Sequence, residues 1–114
     1  MDAKGQARML TQQMRRGDGV TWEKLRAYVA QRGLDPGDVA VATRFSESQG
    51  DFVVLLTRDD RAFSLVLAPG AGDIRRQTAD AQIIRWKELR SAEERYPYMD
   101  WLSGARESLS DEPE

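Results

Sequence analysis

Histidine and cysteine are both absent from the 114 residues. Without them the chain has no disulfide framework, no catalytic thiol, no imidazole base and none of the side chains that most zinc sites use. Lysine is also rare, since only three of the 17 basic residues are Lys. A strong preference for arginine is typical of G+C-rich coding sequences, and we therefore expect a bacterial origin.

Long apolar runs are missing as well. The two longest mostly apolar stretches, residues 52–56 and 63–68, are five and six residues long, whereas a membrane-spanning helix needs about 20. The first twenty residues hold no apolar run of the ~7–15 residues that a secretory signal requires. We therefore expect a cytoplasmic protein without a membrane segment.

The composition is sufficient for one compact domain. The length is typical of a single domain, 40% of the residues are hydrophobic, and the formal net charge is only −2. We predict one domain over residues 1–110, followed by a short acidic tail at residues 111–114. Residues 1–18 either pack on this domain or attach to it only loosely, because the apolar side of their predicted helix is small.

Two helices are predicted in the first third of the chain. The first has apolar residues at helical spacing: Ala3, Ala7, Leu10 and Met14. The second has a larger apolar stripe: Trp22, Leu25, Tyr28 and Val29. We expect Thr21 to cap the start of the second helix and Gly33 to end it. A turn should follow at residues 35–38, with Gly37 at positive φ.

The apolar period changes from 3.6 to two at Val39, which indicates strands. Residues 39–45, 52–57 and 62–68 are separated by short polar turns and predict an antiparallel meander. The alternation places four residues of the first strand on one face: Val39, Val41, Thr43 and Phe45. The middle strand is apolar on both faces, so either this chain or a partner must cover the second face.

Residues 69–72 are predicted to be a plain connecting loop, and the segment after it is compatible with either a strand or a helix. Within residues 81–89, Ile84 and Trp86 alternate with their neighbours as in a fourth strand, whereas Ile83 and Trp86 share a helical face. The preceding strands favour a strand. The fold class is then α+β, with two N-terminal helices, a three- or four-stranded antiparallel β-meander and a C-terminal helix packed on the sheet.

The C-terminal helix is predicted from its start signals and its apolar stripe. Ser91 and Glu94 match a capping box, and Pro97 restarts the helix. The stripe that should pack on the sheet is Tyr98, Trp101, Leu102, Ala105 and Leu109.

No catalytic residue, metal ligand or cofactor is assigned. Carboxylates are paired at positions 59–60, 93–94 and 111–112, but adjacent residues point in different directions and a metal needs further ligands. The loop at residues 69–72 has none of the signatures of a phosphate-binding loop. A small enzyme that uses carboxylates or lysine is therefore only the third hypothesis.

The first hypothesis is a small non-enzymatic protein-interaction or regulatory module. It would either self-associate as a homodimer or bind a protein partner as an inhibitor or immunity protein does. The predicted partner-binding residues are an apolar sheet face, two tyrosines and two acidic turn residues: Val53, Leu55, Val66, Tyr96, Tyr98, Asp59 and Asp60. The two tyrosines beside Pro97 fit two roles: packing at the start of the helix, which is favoured, or an anchor with one ring exposed. The acidic residues should steer a basic partner.

The alternative hypothesis is a nucleic-acid-binding protein. Residues 1–34 hold seven basic and three acidic side chains, whereas residues 35–114 hold ten and sixteen. The candidate contacts on the two N-terminal helices are Arg8, Arg15, Arg16, Lys24 and Arg26. The sequence pI of about 5.2 argues against this function, because nucleic-acid modules are usually basic.

Overall fold

The computed structural model describes residues 2–17, 20–47, 50–68 and 82–112. Its elements are helices α1 (Ala3–Arg16) and α2 (Val20–Gln31), strands β1 (Val39–Glu47), β2 (Gly50–Thr57), β3 (Ala62–Ala68) and β4 (Gln82–Leu89), and helices α3 (Ala92–Arg95) and α4 (Met99–Ser110). Short 3₁₀ turns lie at Pro36–Asp38 and Tyr96–Tyr98. The predicted α+β fold is confirmed, and the ambiguous segment is a strand. The loop predicted at residues 69–72 lies outside the described residues.

The four strands form one antiparallel sheet in the order β1-β2-β3-β4. One face packs against α2, which contributes Trp22, Leu25 and Val29. The other face packs against α4, which contributes Leu102, Ala105 and Leu109. The apolar second face of β2 is therefore covered from within the chain.

Helix α1 lies along β1 and belongs to both layers. Leu10 and Met14 pack in the α2 layer, whereas Ala7 packs in the α4 layer. The Val41 amide of β1 donates a 2.9 Å hydrogen bond to Thr11 Oγ1, which satisfies a backbone group at the edge of the sheet. Helix α1 is thus an integral part of the core and protects the β1 edge.

A β-bulge in β1 changes which side chains share a face. The register with β2 shifts between Val41 and Thr43, and the extra residue inverts the alternation beyond it. As a result, Phe45 lies on the α4 face, with its ring centroid 6.5 Å from that of Trp101. The predicted common face of Val39, Val41, Thr43 and Phe45 is therefore wrong beyond Val41.

A second bulge lies in β4 at Arg85, whose φ is +57°. Ile84 pairs with Val66 on the α4 face. Trp86 lies on the α2 face and stacks on Phe63 at a centroid distance of 4.8 Å. Ile84 and Trp86 therefore do not share a face as predicted, because the bulge separates them.

The end of α2 is predicted correctly, but its start is not. The helix begins at Val20, so Thr21 lies in the first turn and is not the N-cap. At the other end Gly33 has a φ of +80° and the Leu34 amide donates to the Val29 carbonyl oxygen at 3.1 Å, as expected for a glycine that ends a helix.

The two other turn predictions also have different outcomes. Residues 35–38 turn as expected, but Gly37 lies within a 3₁₀ turn whose cap, Asp35, accepts a 2.8 Å hydrogen bond from the Gly37 amide. It therefore has no need of the positive φ that we expected. The capping box of Ser91 and Glu94 is present in full.

Helices α1 and α4 approach closely at Gly104. A Cβ built on Gly104 would lie 2.5 Å from the Ala3 carbonyl carbon and 2.7 Å from its Cβ. Non-bonded carbon atoms pack at about 3.5–4.0 Å, so no larger residue fits without moving one of the helices. Glycine at this position sets the spacing between the first and last helices of the chain.

We predict that Gly104→Ala lowers the free energy of unfolding by about 1–3 kcal/mol, the usual cost of overpacking. The exposed neighbour provides the control, because Ser103→Ala should change that free energy by less than about 0.5 kcal/mol. Urea denaturation measures both variants. A Gly104→Ala protein as stable as the wild type would contradict the close approach.

Candidate functional site: a half-exposed aromatic patch

A row of apolar side chains crosses the α4 face of the sheet near the β1–β2 hairpin. The strand register pairs Phe45 with Phe52, Phe52 with Val66, and Val66 with Ile84. Each strand therefore contributes one residue to the row. Helix α4 packs on β1 and β2, so the end of the row formed by Phe45 and Phe52 lies beside this helix.

Two further rings lie against this row. Tyr98 stacks on Phe52 with ring centroids 5.6 Å apart, Phe52 stacks on Phe45 at 5.0 Å, and Phe45 contacts Trp101 at 6.5 Å. We call Phe45, Phe52, Tyr98 and Trp101 the aromatic patch. Phe45 is 39% exposed and the other three rings are half-buried, so the patch presents aromatic surface to solvent.

The polar tips of the patch are at least partly accessible to solvent. Within the described residues, neither the Tyr98 hydroxyl nor the Trp101 indole N–H makes a hydrogen bond, and neither is a buried unsatisfied atom. Amphipathic rings with accessible donors are enriched in protein interfaces. The patch therefore combines apolar contact area with two hydrogen-bond donors.

The predicted partner face of Val53, Leu55 and Val66 is wrong. Val53 and Leu55 are fully buried in the α2 layer. Val66 is 1% exposed and lies on the opposite face, because it pairs with Phe52. The alternation in β2 correctly indicated two buried faces, but it could not show that the chain's own α2 covers the second one.

The two predicted tyrosines have different environments. Tyr96 is 78% exposed, which agrees with the less favoured of the two roles considered for the pair. Tyr98 is half-buried in the aromatic patch. The sequence singled out Tyr98 but missed Phe45, Phe52 and Trp101 as site residues, since their proximity depends on the β1 bulge and on the docking of α4.

The two predicted acidic residues lie at the other end of β2. Arg106 donates hydrogen bonds of 2.7 and 3.2 Å to Asp60 Oδ1, and Arg95 Nη1 lies 3.5 Å from Asp60 Oδ2. The pKa of Asp60 is lowered from its ordinary value, mainly because Arg106 donates a hydrogen bond to the carboxylate. Asp59 is exposed and accepts a hydrogen bond from Thr57. Because two arginines offset the negative charge of Asp60, this residue is poorly suited to steering a basic partner as predicted.

The five nucleic-acid candidates do not form one free basic surface. Arg8 pairs with Asp111 at 3.3 Å, and Arg26 donates a 2.6 Å hydrogen bond to the Met14 carbonyl oxygen at the end of α1. Arg15 is paired as well, as described below. Arg16 and Lys24 are exposed on different helices. Three of the five candidates are thus engaged within the chain.

Residues 111 and 112 of the predicted acidic tail are anchored, whereas residues 113–114 lie outside the described part of the chain. The Glu112 carboxylate bridges two arginines, with Oε1 2.7 Å from Arg15 Nη1 and Oε2 2.6 Å from Arg58 Nη2. We call this arrangement the Glu112 clamp. Asp111 pairs with Lys4, and the hydrogen bond from Lys4 lowers the pKa of Asp111.

Comparisons with protein-family profiles, with curated proteins and with solved structures find no match for this chain. In the described ranges, no three acidic side chains come close enough to hold a metal ion. The same ranges contain no helix with the length and apolar character needed to cross a bilayer.

We predict that Arg106→Gln raises the pKa of Asp60 towards its ordinary value, because the main hydrogen bond that stabilises the carboxylate is lost. An NMR titration of the Asp60 carboxyl carbon measures the shift. Arg90→Gln is the control, since Arg90 pairs with Glu88 instead. An unchanged Asp60 titration in Arg106→Gln would contradict the contact.

The same ion pair predicts how stability depends on pH. The folded-state pKa of Asp60 is lowered, so its ionised form stabilises the fold above the unfolded-state pKa of about 3.9. This contribution is lost as the pH falls through the folded-state pKa. The difference in free energy of unfolding between wild type and Asp60→Asn should therefore be present at neutral pH and shrink below about pH 4, and a constant difference would contradict the account.

Proposed function

We propose that this chain is a non-enzymatic protein-interaction module that binds a short apolar segment of a partner protein at the aromatic patch. The observation that supports the proposal is the half-exposed cluster of Phe45, Phe52, Tyr98 and Trp101. Stacked rings bring a large contact area at a low cost in side-chain entropy. They offer no carboxylate or amine for proton transfer, so the site is better suited to binding than to catalysis.

The size of the patch favours a short segment over a second copy of the chain. A standard stable interface buries about 800 Å² on each partner, which is more than a tenth of the 6861 Å² surface of this protein. None of the four rings is more than 39% exposed, so together they expose less than about 400 Å², given about 150–250 Å² for each whole aromatic side chain. An area of this size accommodates a few apolar side chains.

The two hydrogen-bond donors of the patch can orient a bound segment. The Tyr98 hydroxyl and the Trp101 indole N–H lie on rings that contact the same Phe45–Phe52 pair. Both can donate hydrogen bonds to backbone carbonyl oxygens of a bound segment, which in an extended peptide remain unpaired. The partner is thus recognised as an extended segment with apolar side chains.

The proposal is tested by selecting peptides from a random display library on the immobilised protein. Selected peptides should be rich in apolar residues, and their dissociation constants should rise at least about tenfold, or 1.4 kcal/mol, for Phe45→Ser. Tyr96→Ser is the matched control, because it also removes an exposed aromatic ring, and it should bind like the wild type. Circular dichroism confirms that both variants fold.

Light scattering complements the selection by measuring the solution mass. A monomer is the expected result at the concentrations used for binding. A dimer that Phe45→Ser dissociates would contradict the proposed occupant and assign the patch to a second copy. Peptides whose binding is unaffected by Phe45→Ser would contradict the patch itself as the binding site.

A further inference from the structure

The Glu112 clamp lies far from the aromatic patch along α4 and has the features of a second binding site. Glu112 comes two residues after the last residue of α4. Its carboxylate is held by two guanidinium groups, and only a quarter of its side chain is exposed. Short distances from both carboxylate oxygens are typical of charge-assisted recognition by arginine.

The two arginines are held in position by groups other than Glu112. Arg15 donates to the carbonyl oxygens of Pro36, Gly37 and Val39 at 2.9–3.2 Å. Arg58 pairs with Asp38 at 3.0 Å and donates to the Leu109 carbonyl oxygen at 3.0 Å. Only Arg15 Nη1 and Arg58 Nη2 are directed at Glu112. The anion-binding geometry therefore does not depend on this carboxylate.

Two cavities flank the clamp, and Glu112 lines both of them. One, of about 300 Å³, is lined on its basic side by Arg58 and Arg106. The other, of about 390 Å³, is lined by Arg8, Arg15 and Arg16 together with Asp111. Glu112 is the residue that the two cavities share, and together they are lined by five arginines. We call the two cavities, with the clamp between them, the arginine trough.

We propose that the arginine trough binds an acidic peptide segment of a partner protein, and that Asp111 and Glu112 occupy it as an intramolecular competitor. Charge complementarity supports this occupant, because the two carboxylates already seated there are those of an acidic dipeptide. Asp38 and Asp60 already pair with Arg58 and Arg106, so the positive charge left in the trough matches a few carboxylates rather than a continuous phosphate backbone. An acidic peptide therefore fits better than nucleic acid.

An intramolecular competitor weakens binding in a predictable way. A tethered group acts at an effective concentration in the millimolar range, so the segment 111–112 competes with any peptide that binds in trans. Neutralising both carboxylates should increase the affinity for an acidic peptide at least about tenfold. The gain should shrink at high salt, because partly exposed ion pairs are screened.

The experiment uses the full chain with Asp111→Asn and Glu112→Gln. The probe is an acetylated and amidated peptide with the sequence of residues 107–112, ESLSDE, measured by calorimetry at 20 and 200 mM salt. The control variant carries Glu93→Gln and Glu107→Gln, two exposed carboxylates, and has the same net charge. Arginine Nε–H signals in NMR spectra report whether the peptide contacts Arg15 and Arg58.

The expected result is at least tenfold tighter peptide binding by the Asp111→Asn/Glu112→Gln variant than by the wild type or the control, with shifts of the Arg15 and Arg58 signals. Phe45→Ser should leave this binding unchanged, which separates the trough from the aromatic patch. Equal affinity in both double variants, or no binding to any of them, would overturn the proposal. Tighter binding of a duplex DNA than of the peptide would also overturn it and assign the trough to phosphates.

If the double variant does not fold, Glu112→Gln alone provides the test. This change removes the charge from the clamp but keeps the shape of the side chain and the Asp111 ion pairs. It should give a smaller increase in affinity, again with shifts of the Arg15 and Arg58 signals. An affinity no higher than that of Glu107→Gln would contradict the proposed competition.

Discussion

One helix cannot cover a four-stranded sheet, and this limit shapes the whole molecule. Strands are spaced about 4.7–4.9 Å apart and a helix with its side chains is about 10–12 Å wide, so a helix covers two or three strands. On one face α4 lies over β1 and β2, and Tyr98 supplies a ring beside it. The apolar row across the four strands is covered unevenly, because Val66 on β3 is 1% exposed whereas Phe45 on the edge strand β1 is 39% exposed. The aromatic patch lies at this exposed end of the row.

Contacts between the first and last helices hold α4 on the sheet. Helix α1 satisfies a β1 backbone group through Thr11 and packs closely on α4 at Gly104. The ion pairs of residues 111 and 112 then connect the end of α4 to α1 and to Arg58. Exposed ion pairs contribute little each, but a network that joins distant segments is more effective than isolated pairs. The same contacts fix the arginines around which the trough is formed.

Local patterns were enough to predict the elements of the fold but not the candidate sites. The stripe of Leu25 and Val29, the alternation in β2 and the capping box at Ser91 are encoded by neighbours in sequence. The bulge after Val41 depends on pairing with another strand, and no local signal marks it. Arg15 and Glu112 are 97 residues apart, so their contact follows only from the docking of α4 on α1.

The most direct test of the account is hydroxyl-radical footprinting of the phenylalanines at a concentration where the protein is monomeric. The account predicts that Phe45, which is 39% exposed, is modified much faster than Phe63, which is 3% exposed. Both rings have the same intrinsic reactivity, so the ratio measures accessibility alone. Equal protection of Phe45 and Phe63 would show that the patch is covered within the monomer and would contradict its role as a binding surface.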